Sequence, residues 1–289
     1  MAEPSRARKI LIRTVTGASI VAVVAGIFAW AHYSASDLPV AIVGTVLAFA
    51  SALEFGRMGS IARYRVGAAL MLVALASFGL ANDRTLWAER FPSLGGDGRG
   101  AVLFHVAMVA AGAAVMRVFY RATAAELTPR AILVAALGAA WVIAPLSLLA
   151  ELWRQFGLEG TITFVALSKV GDITGYFVGN ACGKHHPFPR LSPGKTTEGC
   201  LGSLVGGIVA GALFAQAGWI SGGIGAGCLV GAVLNVAGQA GDLVESKVKR
   251  TTGVKDSSAW LGASGGFLDV LDSLFLTVPV TLILWPSGF

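Results

Sequence analysis

The sequence predicts an all-α protein, a polytopic membrane bundle of about nine membrane-spanning helices. Three observations lead to this fold class. Of the 289 residues, 55% are hydrophobic and only 13% are charged. The mean hydropathy of +0.72 lies well above that of ordinary soluble domains. The apolar residues form runs of roughly 20, the length of a helix that crosses a bilayer, which leaves no room for a sizeable soluble domain.

Hydropathy places nine spans along the chain, and the loops between them predict the orientation. The predicted spans are 14–34, 37–55, 65–82, 101–117, 131–150, 161–179, 199–217, 219–240 and 265–286. With a cytoplasmic N-terminus, most Lys and Arg residues fall in cytoplasmic loops, as the positive-inside rule requires, and the C-terminus lies outside. These basic residues are divided among short loops and form no continuous face, so we expect no nucleic-acid partner.

The chain divides into two halves of different character. Residues 1–150 are predicted to form a scaffold of about five spans with almost no ionisable side chain at membrane depth. Residues 151–289 are predicted to form a catalytic half of about four spans with two polar, basic cytoplasmic loops. Glu54 and Glu151 lie at the edges of spans, where we expect a carboxylate to reach interfacial water.

Asp172 is the first acid that falls inside a predicted span, in VALSKVGDITGYFVG. A charged side chain facing lipid costs roughly 2.5 to 3.5 kcal/mol on insertion scales, so this carboxylate must face a wet cavity or a partner. Lys169 precedes it by three residues on the same helical face and is an available counter-ion. Two interpretations stay open, an ion pair that only stabilises the bundle and a group that binds substrate.

The loop after this span reads NACGKHHPFPRLSPGKTTEGCLG. Its residues 192–199 form a turn that leads directly into the next span. Thr196 or Thr197 can cap that helix, which leaves backbone amides and Lys195 directed at the membrane surface, an arrangement suited to phosphate. Pro, Gly and Thr before a helix are also ordinary loop chemistry, so this turn alone does not define a site.

The last two spans place carboxylates at their cytoplasmic ends. In GDLVESKVKR, Asp242, Glu245 and Lys249 recur at helical spacing and share one face. In GGFLDVLDSLF, Asp269 and Asp272 are three residues apart, just after a Gly-Gly pair. A hairpin of the two spans brings Asp242 near Asp269, where the carboxylates would repel unless protonated or bridged by cations. Oxygen ligands without His or Cys favour Mg²⁺.

A basic segment, SKVKRTTGVKD, lies between these acids. Its cations are Lys247, Lys249, Arg250 and Lys255. Together with a metal ion they can meet nucleotide phosphates and offset the charge that develops in phosphoryl transfer. A solvated positive-inside loop explains the cations equally well, but it does not explain the flanking carboxylates.

At this point two motifs resemble those of the phosphatidate cytidylyltransferases, or CDP-diacylglycerol synthases. GDLVESKVKR, KDSS and GGFLDVLD resemble the C-terminal signature of that family, and the segment 172–199 with SPGKTTEG resembles its second motif. Together the motifs cover about residues 165–275 in the family's order. The resemblance implies a polytopic enzyme that condenses CTP with phosphatidic acid to give CDP-diacylglycerol and pyrophosphate and that requires Mg²⁺.

The resemblance also implies roles for individual residues. The expected metal ligands are Asp242 and Asp269. The expected catalytic residues are Asp242, Asp269, Lys249, Arg250 and Lys255. The expected substrate-binding residues are Asp172, Ser192, Lys195, Thr196, Glu198, Ser246, Asp256 and Asp272.

The chain departs from the family pattern at two positions. Where the family has PGHGG, this chain has GASGG, so that Ser264 replaces the His. Val270 replaces the Arg between the last two acids. Both departures are expected to weaken phosphate binding and leave the carboxylates untouched, and an inactive homologue is therefore one alternative.

The expected partners are CTP, phosphatidic acid and the bilayer of the inner cell membrane, while a homodimer and a second, monovalent cation are left open.

Two further functions are compatible with the sequence. The first is a CTP-dependent polyprenol or phytol kinase or an archaeol-type cytidylyltransferase. The product, a nucleotide-linked lipid or a lipid monophosphate, distinguishes these enzymes. The second is a cation-coupled transporter, since intramembrane acids and Gly-rich helices also suit ion paths. The clustering of the acids at one membrane face, beside a cationic loop, favours an enzyme.

Overall fold

The computed structural model of the protein describes residues 6–58, 141–142, 145–146, 148–251, 253–261, 265–285 and 289. Within these ranges the chain is helical and contains no strand, which confirms the predicted all-α class. The helices are α1 (Arg6–Tyr33), α2 (Leu38–Met58), α3 (Leu149–Cys182), α4 (Thr197–Gln216), α5 (Gly223–Thr251), α6 (Phe267–Leu271) and α7 (Leu274–Leu284).

Four helical stretches in the described part of the chain are long and apolar enough to cross a membrane. They are Leu38–Phe55, Thr197–Gln216, Gly223–Arg250 and Phe267–Leu284, the last comprising α6 and α7. The apolar part of α1, Val21–Tyr33, is shorter. The predicted spans 65–82 and 101–117, with most of 131–150, lie outside the described residues. The apolar helices identify a membrane protein.

Helix α3 is bent at Gly157, whose φ of 63° and ψ of −162° interrupt the helical backbone. Glycine adopts this positive φ without the steric cost that other residues incur. On the N-terminal side of the bend, the Arg154 guanidinium pairs with Asp37 and lies 3.3 Å from Glu151 Oε2. Gln155 Nε2 donates to the other Glu151 oxygen at 2.7 Å. Glu151 is therefore held by protein groups at this end of α3.

Glycines allow α4 and α5 to pack with their backbones in contact. A β-carbon at Gly207 would lie 2.9 Å from the Gly231 carbonyl oxygen, and one at Gly231 would collide with the Gly207 carbonyl. The pair Gly211 and Gly227 repeats this arrangement one turn further along. Such small-residue contacts are the usual way in which membrane helices approach closely. They fix α5, which carries Asp242 and Glu245 of the candidate site.

The core lies among α3, α5 and α7. Its fully buried side chains include Phe164, Leu167, Leu234, Phe275 and Val278. Gly241 of α5 lies against the junction of α6 and α7, where a β-carbon would be 2.6 Å from the Asp272 carbonyl oxygen. This contact brings the C-terminal part of α5 onto the break between α6 and α7.

Candidate active site

Three carboxylates converge where α5 meets the α6–α7 junction. Asp242 and Glu245 come from adjacent turns of α5, and Asp272 lies between α6 and α7. One oxygen of each lies within 4.8 Å of one oxygen of the other two. Helical spacing places the first pair on one face of α5, and the close approach at Gly241 adds the third acid. We call these three residues the acidic cluster.

The acidic cluster has the chemistry of a divalent-cation site. Glu245 is 2% exposed, and its Oε1 atom has no hydrogen-bond donor among the described residues. A buried carboxylate oxygen without a donor is costly, and a bound cation relieves that cost. The ligand atoms are all carboxylate oxygens, the type that Mg²⁺ prefers. The residues present therefore fit a magnesium ion.

Asp269 does not belong to the acidic cluster in the structure. Its Oδ2 atom accepts hydrogen bonds from Ser257 N at 2.9 Å, from Ser257 Oγ at 2.8 Å and from Gly266 N at 2.7 Å. Its Oδ1 atom lies 2.6 Å from Lys249 Nζ, which is also 2.6 Å from Glu245 Oε2. A single ammonium group thus joins Asp269 to the acidic cluster. Lys249 therefore lies between Asp269 and Glu245, and the expected metal pair of Asp242 and Asp269 stays a prediction.

Lys195 reaches the acidic cluster from the loop before α4. Its Nζ atom lies 2.6 Å from Asp242 Oδ2, while Ser246 Oγ is 3.4 Å from the other oxygen of the same carboxylate. The backbone N–H of Lys195 donates to the Ser192 carbonyl at 3.1 Å, which closes the turn that directs this side chain. The second motif therefore contributes a cation directly to the acids of α5.

The start of α4 is fixed by two side chains of the second motif. Thr196 is the N-cap, and its hydroxyl accepts a hydrogen bond from Gly199 N at 3.0 Å. Glu198 accepts from the backbone N–H of Lys184 at 3.0 Å and pairs with His185 Nδ1 at 2.6 Å. These contacts show Thr196 and Glu198 shaping the loop that presents Lys195.

Lys169 extends from α3 to the junction of α6 and α7, next to the Asp272 position of the acidic cluster. Its ammonium donates to the Val270 carbonyl at 2.9 Å and to Ser273 Oγ at 2.7 Å. Asp172 Oδ2 is farther away, at 3.6 Å, and the Asp172 side chain is 48% exposed. The predicted Lys169–Asp172 pair is present, but the shorter contacts of Lys169 hold the C-terminal end of α6, where a cation is favourable.

The polar loop after α5 is mostly exposed. Arg250 Nε donates to the Leu191 carbonyl at 3.3 Å, and its Nη1 donates to the Val254 carbonyl at 3.0 Å. Arg250 therefore connects the loops of the two motifs. Lys255 and Asp256 are also exposed, while Ser264 lies outside the described residues.

Glu54 is a residue of this region that the sequence did not assign to it. Its side chain is 0% exposed, so the expectation that it reaches interfacial water is wrong. The carboxylate accepts hydrogen bonds from Ser257 Oγ at 2.9 Å and Ser258 Oγ at 2.6 Å, and from the backbone N–H groups of Phe267 at 3.0 Å and Leu268 at 2.9 Å. The sequence offered one signal for this contact, because the N–H groups in the first turn of a helix such as α6 have no intrahelical acceptor and need another one.

The chain belongs to the cytidylyltransferase family, which it matches over residues 11–287. This membership confirms the family resemblance and the enzyme class, nucleotidyltransferase. A phosphatidate cytidylyltransferase of Chlamydia trachomatis is 38% identical over 135 residues, 43% of this chain and 42% of that protein. A phosphatidate cytidylyltransferase of Mycobacterium leprae is 37% identical over 153 residues, 51% of this chain and 46% of that protein.

An uncharacterized protein of Escherichia coli, YnbB, is 35% identical over 130 residues, which are 44% of this chain and 42% of that protein. The chain thus spans less than half the length of each of these curated relatives. The family model, which matches residues 11–287, is what places the chain in the family.

Proposed function

We propose that the protein is a phosphatidate cytidylyltransferase, which transfers the cytidylyl group of CTP to phosphatidic acid and releases pyrophosphate. The observation that carries this proposal is the acidic cluster, three carboxylates within 4.8 Å of one another, surrounded by amino groups. Lys195 and Lys249 each lie 2.6 Å from one of its acids. Such a combination of acids and cations suits a metal ion and a polyphosphate together. The names of the relatives support this choice of substrates.

Asp242, Glu245 and Asp272 would hold Mg²⁺ through their carboxylate oxygens. When bound, the ion would offset the negative charge that develops on the phosphates during transfer. Asp269, the other ligand that the family resemblance implies, lies beside these acids, with Lys249 between it and Glu245. This proposal keeps both expected ligands, Asp242 and Asp269, and adds the two acids that complete the cluster.

The basic residues would bind and orient the two phosphate-bearing substrates. Lys249 with Arg250 and Lys255 would contact the triphosphate of CTP, and Lys195 would lie beside the α-phosphate. A phosphatidate oxygen would attack the α-phosphorus, forming a P–O bond as the bond to the β-phosphate breaks and pyrophosphate leaves. Phosphatidate is an anion at neutral pH, so no strong base is needed. The substrate site would also include Asp172, Ser192, Thr196, Glu198, Ser246, Asp256 and Asp272.

The same proposal includes a topology. Nine spans would cross the inner cell membrane with the N-terminus in the cytoplasm and the C-terminus outside. Residues 1–150 would form the scaffold and residues 151–289 the catalytic half. The acidic cluster would then face the cytoplasm, where CTP is available, at a depth that lipid phosphate groups reach from the bilayer.

The test uses purified protein in detergent with phosphatidic acid, Mg²⁺ and CTP labelled with ³²P at either the α or the γ position. A cytidylyltransferase places the α label in the lipid product, whereas a CTP-dependent lipid kinase places the γ label there. Lipid labelled from γ-CTP, or no labelled lipid at all, would overturn the proposal. Solute uptake into sealed vesicles without CTP would instead favour a transporter.

A further inference from the structure

We infer that Glu54 is a positioning residue of the active site, which holds the signature loop (residues 253–261) and the start of α6 in the geometry that the reaction needs. This inference rests on the proposed function for its kinetic part. Glu54 lies on α2, in the half of the chain predicted as scaffold, and contacts groups 203 or more residues later in the sequence. It therefore connects the two halves through a single buried carboxylate.

The hydrogen bonds to Glu54 account for the acceptor capacity of an ionised carboxylate. One hydroxyl group and two backbone N–H groups donate to it, and a second hydroxyl group shares its single proton between Glu54 and another carboxylate. A carboxylate offers about four acceptor positions. Its burial is tolerated because these donors replace water. The backbone donors, Phe267 and Leu268, form the first turn of α6, where no intrahelical acceptor exists for them. Glu54 therefore fixes both where α6 begins and where the signature loop lies.

Ser257 transmits the position of Glu54 to the reactive acids. Its hydroxyl lies 2.9 Å from the Glu54 carboxylate and 2.8 Å from Asp269 Oδ2, so one hydroxyl group joins the two acids. Asp269 in turn lies 2.6 Å from Lys249, whose ammonium is the link to the acidic cluster. A shift of the Glu54 carboxylate would therefore move Ser257, Asp269 and Lys249 together.

Gly266 is the residue that permits this arrangement. A β-carbon at this position would collide with the Glu54 carboxylate and with the Ser257 hydroxyl. Its own N–H donates to Asp269 Oδ2 at 2.7 Å. The Gly-Gly pair that precedes the last span thus has a specific use, which is to let the carboxylate of Glu54 approach the backbone beside Asp269.

A structural role and a positioning role make different predictions. If Glu54 only stabilises the bundle, its replacement lowers the melting temperature and leaves the kinetic constants of the remaining folded protein unchanged. If it positions the site, the folded variant turns over more slowly and needs more Mg²⁺, because Lys249 and Asp269 are no longer fixed. The two roles are therefore separated by kcat and by the Mg²⁺ dependence.

The test variant is Glu54→Gln, and the matched control is Glu151→Gln. The substitution keeps the size of the side chain but places a donor amide where the protein supplies only donors. Glu151 is also an acid near the end of an apolar segment, but its carboxylate accepts hydrogen bonds from Arg154 and Gln155 on its own helix, α3. Both variants are purified in the same detergent as the wild type.

Two readouts are measured on each variant, hydrogen–deuterium exchange of peptides covering residues 253–271 and steady-state cytidylyl transfer. For Glu54→Gln we expect exchange at Phe267 and Leu268 to accelerate about tenfold or more, the effect of losing charge-assisted hydrogen bonds. We expect kcat to fall by a similar factor and the half-saturating Mg²⁺ concentration to rise. Glu151→Gln should match the wild type in both measurements. Unchanged exchange, or accelerated exchange with wild-type kcat and Mg²⁺ dependence, would overturn the inference.

A milder variant covers the case in which Glu54→Gln does not fold. Ser258→Ala removes one hydroxyl donor and retains the carboxylate, and it should accelerate exchange at the start of α6 by a smaller factor, about two- to fivefold. Wild-type exchange in this variant would count against the inference. If the wild type transfers no cytidylyl group, the proposed function fails, while the exchange experiment still tests the contact between Glu54 and the signature loop.

Discussion

The substitution Lys249→Met removes the ammonium group that joins Glu245 to Asp269. Each carboxylate lies 2.6 Å from Lys249 Nζ, so their nearest oxygens are no more than about 5 Å apart. At an effective dielectric constant of about 20, two unit negative charges at this separation repel by about 3 kcal/mol. Removing one partner of a buried ion pair generally costs about 3 to 5 kcal/mol, in agreement with this value. We expect the variant to lose at least this much stability without Mg²⁺.

The assay is thermal unfolding in detergent with and without Mg²⁺. A loss of about 3 kcal/mol lowers the melting temperature by roughly 6 to 12 °C for a chain of this size. Added Mg²⁺ should recover more of the melting temperature in Lys249→Met than it adds to the wild type, because the ion replaces the missing positive charge. The matched control is Lys247→Met, an exposed lysine on the same helix. Equal melting temperatures for the two variants, or no added effect of Mg²⁺, would refute the reasoning.

Three further predictions concern the acids, the cations and the helix packing. Asp272→Asn should reduce cytidylyl transfer by about a hundredfold and raise the half-saturating Mg²⁺ concentration, since one metal ligand is lost; an unchanged Mg²⁺ titration would contradict this. Lys169→Met should lower kcat/KM about tenfold, and adding Val270→Arg should restore part of it, because the new guanidinium supplies a cation at the same end of α6; no restoration would contradict a charge effect. Gly231→Val should lower the melting temperature by several degrees, because a side chain there collides with the Gly207 carbonyl; a melting temperature equal to that of the wild type would contradict this packing.

Helical periodicity and hydropathy predicted much of the fold and part of the site. The spacing of Asp242 and Glu245 placed both acids on one face of α5, and the hairpin of the last two spans predicted that Asp269 would approach Asp242. The structure groups Asp272 with Asp242 and Glu245, and the sequence did not indicate this choice between Asp269 and Asp272. That choice depends on the break between α6 and α7, and on the hydrogen bonds that engage Asp269 as a cap of α6.

The role of Glu54 could not be predicted from local sequence. Its four donors lie on the signature loop and on α6, more than 200 residues away, and the contact exists only because α2 packs against α6. The sequence also did not reveal that Glu54 is buried, because an acid at the end of an apolar span can contact either interfacial water or hydrogen-bond donors inside the protein. Long-range packing, which periodicity does not encode, decides between these two environments.

The central claim is that the acidic cluster binds Mg²⁺ and thereby supports cytidylyl transfer to phosphatidic acid. Its most direct test measures incorporation of α-³²P-labelled CTP into lipid by the wild type and by Asp242→Asn, each titrated with Mg²⁺. The account predicts Mg²⁺-dependent labelled CDP-diacylglycerol from the wild type and almost none from the variant at any Mg²⁺ concentration. Equal incorporation by the two proteins would contradict the account.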